Sequence, residues 1–96
     1  MQTSELIPLE TFCEYHQTEH GFLYSLHQYG LIELLEASDG TYIPHTALPQ
    51  LEQMLRLHQE LELNVAGIDV VIHLLRRVQT MQTETNTLRA RLQLYE

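Results

Sequence analysis

Gly30-Leu31-Ile32-Glu33-Leu34-Leu35-Glu36-Ala37-Ser38-Asp39-Gly40-Thr41-Tyr42-Ile43 is the stretch on which the reading of this chain turns. Asp39-Gly40 lies between two apolar runs, Leu31 to Leu35 and Thr41 to Ile43, and an Asp-Gly pair tolerates the positive φ that a tight β-turn demands. The stretch therefore reads as a β-hairpin. Upstream, Leu9, Phe12, Cys13 and His16 recur at helical spacing, with Pro8 at or just before the first turn, where a missing N–H does no harm. Thr18 reads as the N-cap of a second short helix whose inner face carries Phe22, Leu23, Leu26 and Tyr29. Gly30 sits where a helix ends on a left-handed residue. Two short helices joined by a tight turn and followed by a hairpin wing make a winged helix-turn-helix.

Downstream of the hairpin, Thr46 reads as the cap of a third helix with Pro49 in its first turn. Its apolar stripe is Leu48, Leu51, Leu55 and Leu61, with Met54 and His58 beside it, and it ends near Glu62. Asn64 reads as the cap of a fourth helix that continues to the C-terminus. In that helix Val71, Leu74, Val78, Met81, Thr85, Leu88, Leu92 and Tyr95 follow alternating steps of three and four, the seam of a coiled coil. A second row, Ile68, Ile72 and Leu75, widens the apolar face near its start, and a wide face belongs against the protein's own core. Beyond Val78 the face narrows, and a lone polar helix is marginal in water. The expectation is a mainly α fold in two parts. Residues 1–63 form the winged domain, and residues 64–96 form a long helix that packs on it and dimerises as a C2 coiled coil through Val78, Met81, Thr85, Leu88, Leu92 and Tyr95.

Charge contradicts the DNA-reading shape. The 96 residues carry a formal net charge of −8. The chain has no lysine and no arginine before Arg56. Glu5, Glu10, Glu14, Glu19, Glu33, Glu36, Asp39 and Glu52 account for the whole excess, while Arg56, Arg76, Arg77, Arg89 and Arg91 balance the later acids. DNA affinity comes largely from Lys and Arg neutralising phosphates. An acidic half repels that backbone and attracts a basic protein surface instead. The exposed positions of the second helix would be Glu19, His20, Tyr24, Ser25, His27 and Gln28, which offer no phosphate anchor. The N-terminus lacks the basic and apolar regions of a signal peptide, and no apolar run approaches the roughly 20 residues of a membrane span. A cytoplasmic protein is the expectation.

Little in the chain points to chemistry. Cys13, His16 and His20 have ligand-like spacing, but the turn at Thr18 separates the two histidines, so no metal site is expected. Glu10 and Glu14 lie one turn apart without an apolar or glycine-rich pocket to separate their pKa values, and read as a solvated acidic face. No nucleophile elbow or phosphate-binding glycine loop is present. Neither an enzyme nor a cofactor is expected. Arg56 and Glu60, four residues apart, read as a surface ion pair, with a partner-facing ridge of Arg56, His58 and Glu60 as the functional alternative.

Leu55-Arg56-Leu57-His58-Gln59-Glu60-Leu61, followed by Asn64-Val65-Ala66-Gly67-Ile68, resembles the chaperone-modulator CbpM family. Phe12-Cys13 in the first helix and Gly30-Leu31-Ile32-Glu33 entering the wing match it as well. The likeness runs from about Leu6 to Leu92, and MerR-type regulators share the layout but carry basic residues on the wing and second helix. The resemblance implies a MerR-like winged fold that binds the J-domain of a DnaJ- or CbpA-like co-chaperone and inhibits its stimulation of Hsp70, and its DNA binding as well. It supplies no residue-level motif. On charge and exposure, Glu10, Glu14 and Glu19 form the densest acidic patch, with Glu33, Glu36 and Asp39 on the wing as the competing one. Tyr24, Tyr29 and Tyr42 stand as aromatic anchors, although Tyr29 and Tyr42 suit the core equally. The alternatives are a MerR-like DNA-binding regulator and a structural dimerisation module with another basic partner.

Overall fold

Local signals for the turns translate directly into elements. The computed structural model describes residues 6–95, so residues 1–5 and Glu96, including the carboxylates Glu5 and Glu96 and the outer ends of both expected segments, lie outside the described residues. In chain order the elements are strand β1 (Leu6–Pro8), helices α1 (Leu9–His16) and α2 (His20–Gln28), strands β2 (Leu35–Ala37) and β3 (Gly40–Pro44), a 3₁₀ turn (His45–Ala47), and helices α3 (Leu48–Leu61) and α4 (Val65–Leu94). This is a mainly α winged helix-turn-helix with a small antiparallel sheet.

Both helices of the helix-turn-helix end in the same way. Gly30, at φ 76, closes α2: its N–H donates to the carbonyl of His27 and that of Leu31 donates to Leu26, both at 2.9 Å. This paired lock satisfies carbonyls that have no partner inside the helix. Gln17, at φ 54, closes α1 similarly, with Thr18 N donating to Cys13 O at 3.0 Å. Thr18 is therefore held in the turn and is not the cap expected of it. Glu19 precedes α2 in extended conformation, with no side-chain cap bond.

The hairpin turns at Ser38-Asp39, one residue before the expected Asp39-Gly40, so that Gly40 (φ 149) opens β3, and its first strand starts later than expected. Leu35 pairs with Tyr42 and Ala37 with Gly40. Leu31, Ile32 and Leu34 are all buried in an irregular segment. A strand sends alternate side chains to opposite faces, so in a sheet with one face on the core it would not bury neighbours such as Leu31 and Ile32 together. An unexpected third strand, β1, pairs with the other edge of β3, placing Ile7 opposite Ile43. Thr46 is not a cap either: β3 runs to Pro44 and enters the 3₁₀ turn, so Ala47 precedes α3 without a side-chain cap bond.

One core joins these pieces. α1 contributes Leu9, Phe12 and Cys13, α2 contributes Leu23 and Leu26, and β3 contributes Ile43. α3 adds Leu51, Met54 and Leu55, and α4 adds Ile68 and Ile72. Some residues expected inside are outside: Tyr29 lies beyond the last turn of α2, and Leu61, the last residue of α3, is 63% exposed. Met54 takes the core position instead, because the buried stripe of α3 stops before the chain swings round at Glu62 (φ 57). Asn64 caps α4 as expected, its Oδ1 accepting from Gly67 N at 2.8 Å. A helix of 30 residues rises about 45 Å, and the molecule accordingly measures 61 Å along its longest axis. Only the start of α4 reaches the core. Leu75, expected to share that contact, is 38% exposed.

Candidate protein-interaction surface

Short helices with three-residue inner stripes leave their remaining faces to solvent, and here those faces carry carboxylates. Glu10 and Glu14 are exposed on α1, Glu19 at the entry to α2, Glu33 in the segment after it, and Glu36 and Asp39 on the hairpin. With no Lys or Arg before Arg56, nothing of opposite permanent charge within residues 6–55 offsets them.

The fold brings some of these acids together and parts others. Glu10, Tyr24 and Asp39 meet across a cleft of about 210 Å³ between the start of α1, the outer face of α2 and the hairpin tip. His20, Thr41 and Tyr42 complete its wall. Its polar groups are largely engaged with one another: Tyr24 Oη lies 3.1 Å from Thr41 Oγ1, and Tyr42 donates to Asp39 Oδ2 at 3.0 Å. Asp39 accepting that bond holds the Tyr42 phenol above its usual pKa. Glu33 faces elsewhere, onto a separate open cleft with His27, Gln50 and Arg76. Glu33 and Asp39 thus border different clefts, and Glu14, Glu19 and Glu36 line neither.

A second small cleft, of about 220 Å³, opens between α1 and α3. Ile7, Thr11, Phe12, Tyr15 and Leu48 make it almost wholly apolar, with His16 and Glu52 at one side. His16 packs on the Phe12 ring at 4.2 Å and edge-on to Tyr15 at 4.9 Å, and its Nε2 is 3.8 Å from Glu52 Oε2. Tyr15 itself is 82% exposed. The inner-stripe reading of α1 passed over this residue. Its signal was available nonetheless: an aromatic on the polar side of an amphipathic helix has no core to serve.

The remaining candidates take structural roles or stand apart. Arg56 and Glu60 are exposed on α3 and make no ion pair with each other. His58 belongs to no ridge: it is half-buried, stacked on Phe22, and donates from Nδ1 to the Leu63 carbonyl at 2.8 Å. Cys13 is buried, and burial pushes its thiol above the ordinary pKa. Among the described residues no group of three or more His, Cys, Asp or Glu is placed to hold a metal ion. No helix of the described residues is long and apolar enough to cross a membrane. Along α4 the seam residues Val78, Met81, Thr85, Leu88, Leu92 and Tyr95 are all exposed in the single chain.

The family described as MerR HTH family regulatory protein matches residues 7–90. The chaperone modulatory protein CbpM of Pseudomonas entomophila (strain L48) is 25% identical over 87 residues, covering 90% of this chain and 86% of that protein. No solved structure matches the chain.

Proposed function

This chain belongs to the MerR HTH family of regulatory proteins, and from that premise we propose that it is a chaperone modulator working by protein contact rather than on DNA. Its target is the J-domain of a DnaJ- or CbpA-like co-chaperone, bound through the acidic winged half. The observation that carries the reading is the sign of the surface. A helix-turn-helix that reads DNA needs Lys or Arg to anchor the phosphates, whereas α2 and the residue before it expose Glu19, His20, Tyr24, His27 and Gln28 and the hairpin exposes Glu36 and Asp39. The similarity to a chaperone modulatory protein along most of both chains adds to it.

J-domains present a basic helix to Hsp70. An acidic domain seated on that helix competes for it and so stops the co-chaperone from stimulating the Hsp70 ATPase. Charge of this kind acts mainly on encounter rate and specificity. The contact residues are drawn from Glu10, Glu14, Glu19 and Tyr24 on the helices and Glu33, Glu36 and Asp39 on the wing, with Arg56 and Glu60 further off on α3. The partner-bound unit is a homodimer joined through the α4 seam, because Val78, Met81, Leu88, Leu92 and Tyr95, interrupted only by Thr85, would otherwise stand in water along one stripe.

The test is calorimetric titration of the J-domain of the same organism's DnaJ-like co-chaperone into this protein at low and moderate salt. Saturable binding that weakens with salt is expected, with loss of Hsp70 ATPase stimulation at matching concentrations. No complex at either salt overturns the reading. Sequence-specific binding to a palindromic operator would instead make the protein a DNA-binding regulator of its family.

A further inference from the structure

The two clefts beside α1 differ in what they leave free for a partner. In the hairpin cleft, Tyr24 and Thr41 engage each other, as do Tyr42 and Asp39. A ligand reaching the Tyr24 or Tyr42 hydroxyl there meets a group that already has a partner. The cleft between α1 and α3 has an apolar wall of Ile7, Phe12 and Leu48, and at its mouth Tyr15 stands 82% exposed with no hydrogen bond to its hydroxyl among the described residues. Tyrosine in this setting offers a large apolar face with a polar tip at small rotamer cost, which is why it recurs as an anchor of protein interfaces.

Building on the proposed function, we infer that this cleft is the anchor point of the basic partner. An apolar side chain from the J-domain's basic helix enters between Phe12, Tyr15 and Leu48, and flanking Lys or Arg side chains meet Glu52 in the wall and Glu14 on the neighbouring face of α1. Charge selects this occupant over a second copy of the chain. Glu52 stands in the wall of the cleft, no Lys or Arg in residues 6–55 offsets it, and the winged half of another copy carries the same sign. A basic helix with one apolar ridge matches both the lining and the rim. Apolar burial holds such a complex together, while the carboxylates speed its encounter and set its salt dependence.

The experiment compares wild type, Tyr15→Ala, Tyr15→Phe, Glu52→Gln and Tyr24→Ala by calorimetric titration with the isolated J-domain, with circular dichroism and sedimentation of each variant. Removing an anchor ring costs about tenfold or more in affinity, so Tyr15→Ala should bind at least that much more weakly. Tyr15→Phe keeps the apolar ring and should retain most of the binding. Glu52→Gln should flatten the salt dependence, and Tyr24→Ala, whose hydroxyl is already engaged by Thr41, should weaken binding less than Tyr15→Ala does. If Tyr15→Ala binds as tightly as wild type while Tyr24→Ala does not, the anchor lies in the hairpin cleft and this inference fails with the proposed function intact. If Tyr15→Ala changes the oligomeric state, a second copy covers the cleft and the inference fails on that ground. If wild type itself does not bind, the proposed function falls and the inference with it.

Discussion

The imidazole of His58 on α3 lies stacked on the ring of Phe22 on α2, centroids 4.3 Å apart and planes 24° from parallel. Its Nδ1 is 2.8 Å from the Leu63 carbonyl, which can only accept, so Nδ1 carries the hydrogen. One side chain thus ties the second helix of the helix-turn-helix to the turn between α3 and α4. Replacing His58 with Ala removes the stack and leaves a carbonyl at a helix end without its donor, together worth about 1–3 kcal/mol. Urea unfolding should show that loss as a lower midpoint with little change in slope. An unchanged midpoint would mean that the stack contributes nothing net.

The seam of α4 should carry the dimer. Leu88→Asp with Leu92→Asp puts charges into the stripe, and sedimentation should find monomers. Both residues lie well beyond Ile72, where α4 leaves the core, so the winged domain should keep its circular dichroism and its cooperative unfolding. A dimer that survives this double change would place the interface in the winged domain.

Reversing Glu10 and Glu14 together to Lys should weaken J-domain binding severalfold at low salt, and less at moderate salt, where screening has already reduced their pull. Both are exposed, so the fold should be unaffected. Unchanged affinity at low salt would move the electrostatic contact to the hairpin or to α3.

Cys13 should make stability depend on alkaline pH. Burial raises its thiol above the ordinary 9.0, so the folded state holds the proton more tightly than the unfolded one. A raised folded-state value gives a contribution that is complete below the unfolded pKa and is lost as pH rises through the folded one. Urea stability should therefore be flat around neutrality on this account and fall in the alkaline range above the unfolded thiol's pKa. Tyr42 adds a loss of the same sign at higher pH. Measured side by side, the stability gap between wild type and Cys13→Ala should narrow as pH climbs. A constant gap would mean the thiol titrates alike in both states. A thiol reagent at pH 8 should likewise react slowly until urea is added.

Elements whose causes lie within a few residues were readable along the chain. Gly30 ending α2, Asn64 starting α4 and the inner stripe of α1 each depend on local dihedrals, caps or helical spacing, and each stands where it was expected, while the hairpin turns within one residue of its Asp39-Gly40 signal. The acidity of the winged half was equally plain, since a sum of charges needs no coordinates. Other features depend on partners far along the chain. Strand β1 exists because Ile7 meets Ile43, and Leu31, Ile32 and Leu34 turn inward together because the core beneath α2 is open to them. Neither has a period to detect. The same holds for the surface: Glu10 and Asp39 share a cleft while Glu33 and Asp39 do not, although the second pair is much closer in sequence. Tyr15 acquires its meaning from Leu48 and Glu52, more than thirty residues away. Periodicity and caps are properties of neighbours on the chain, whereas a cleft is made by side chains that only packing brings side by side.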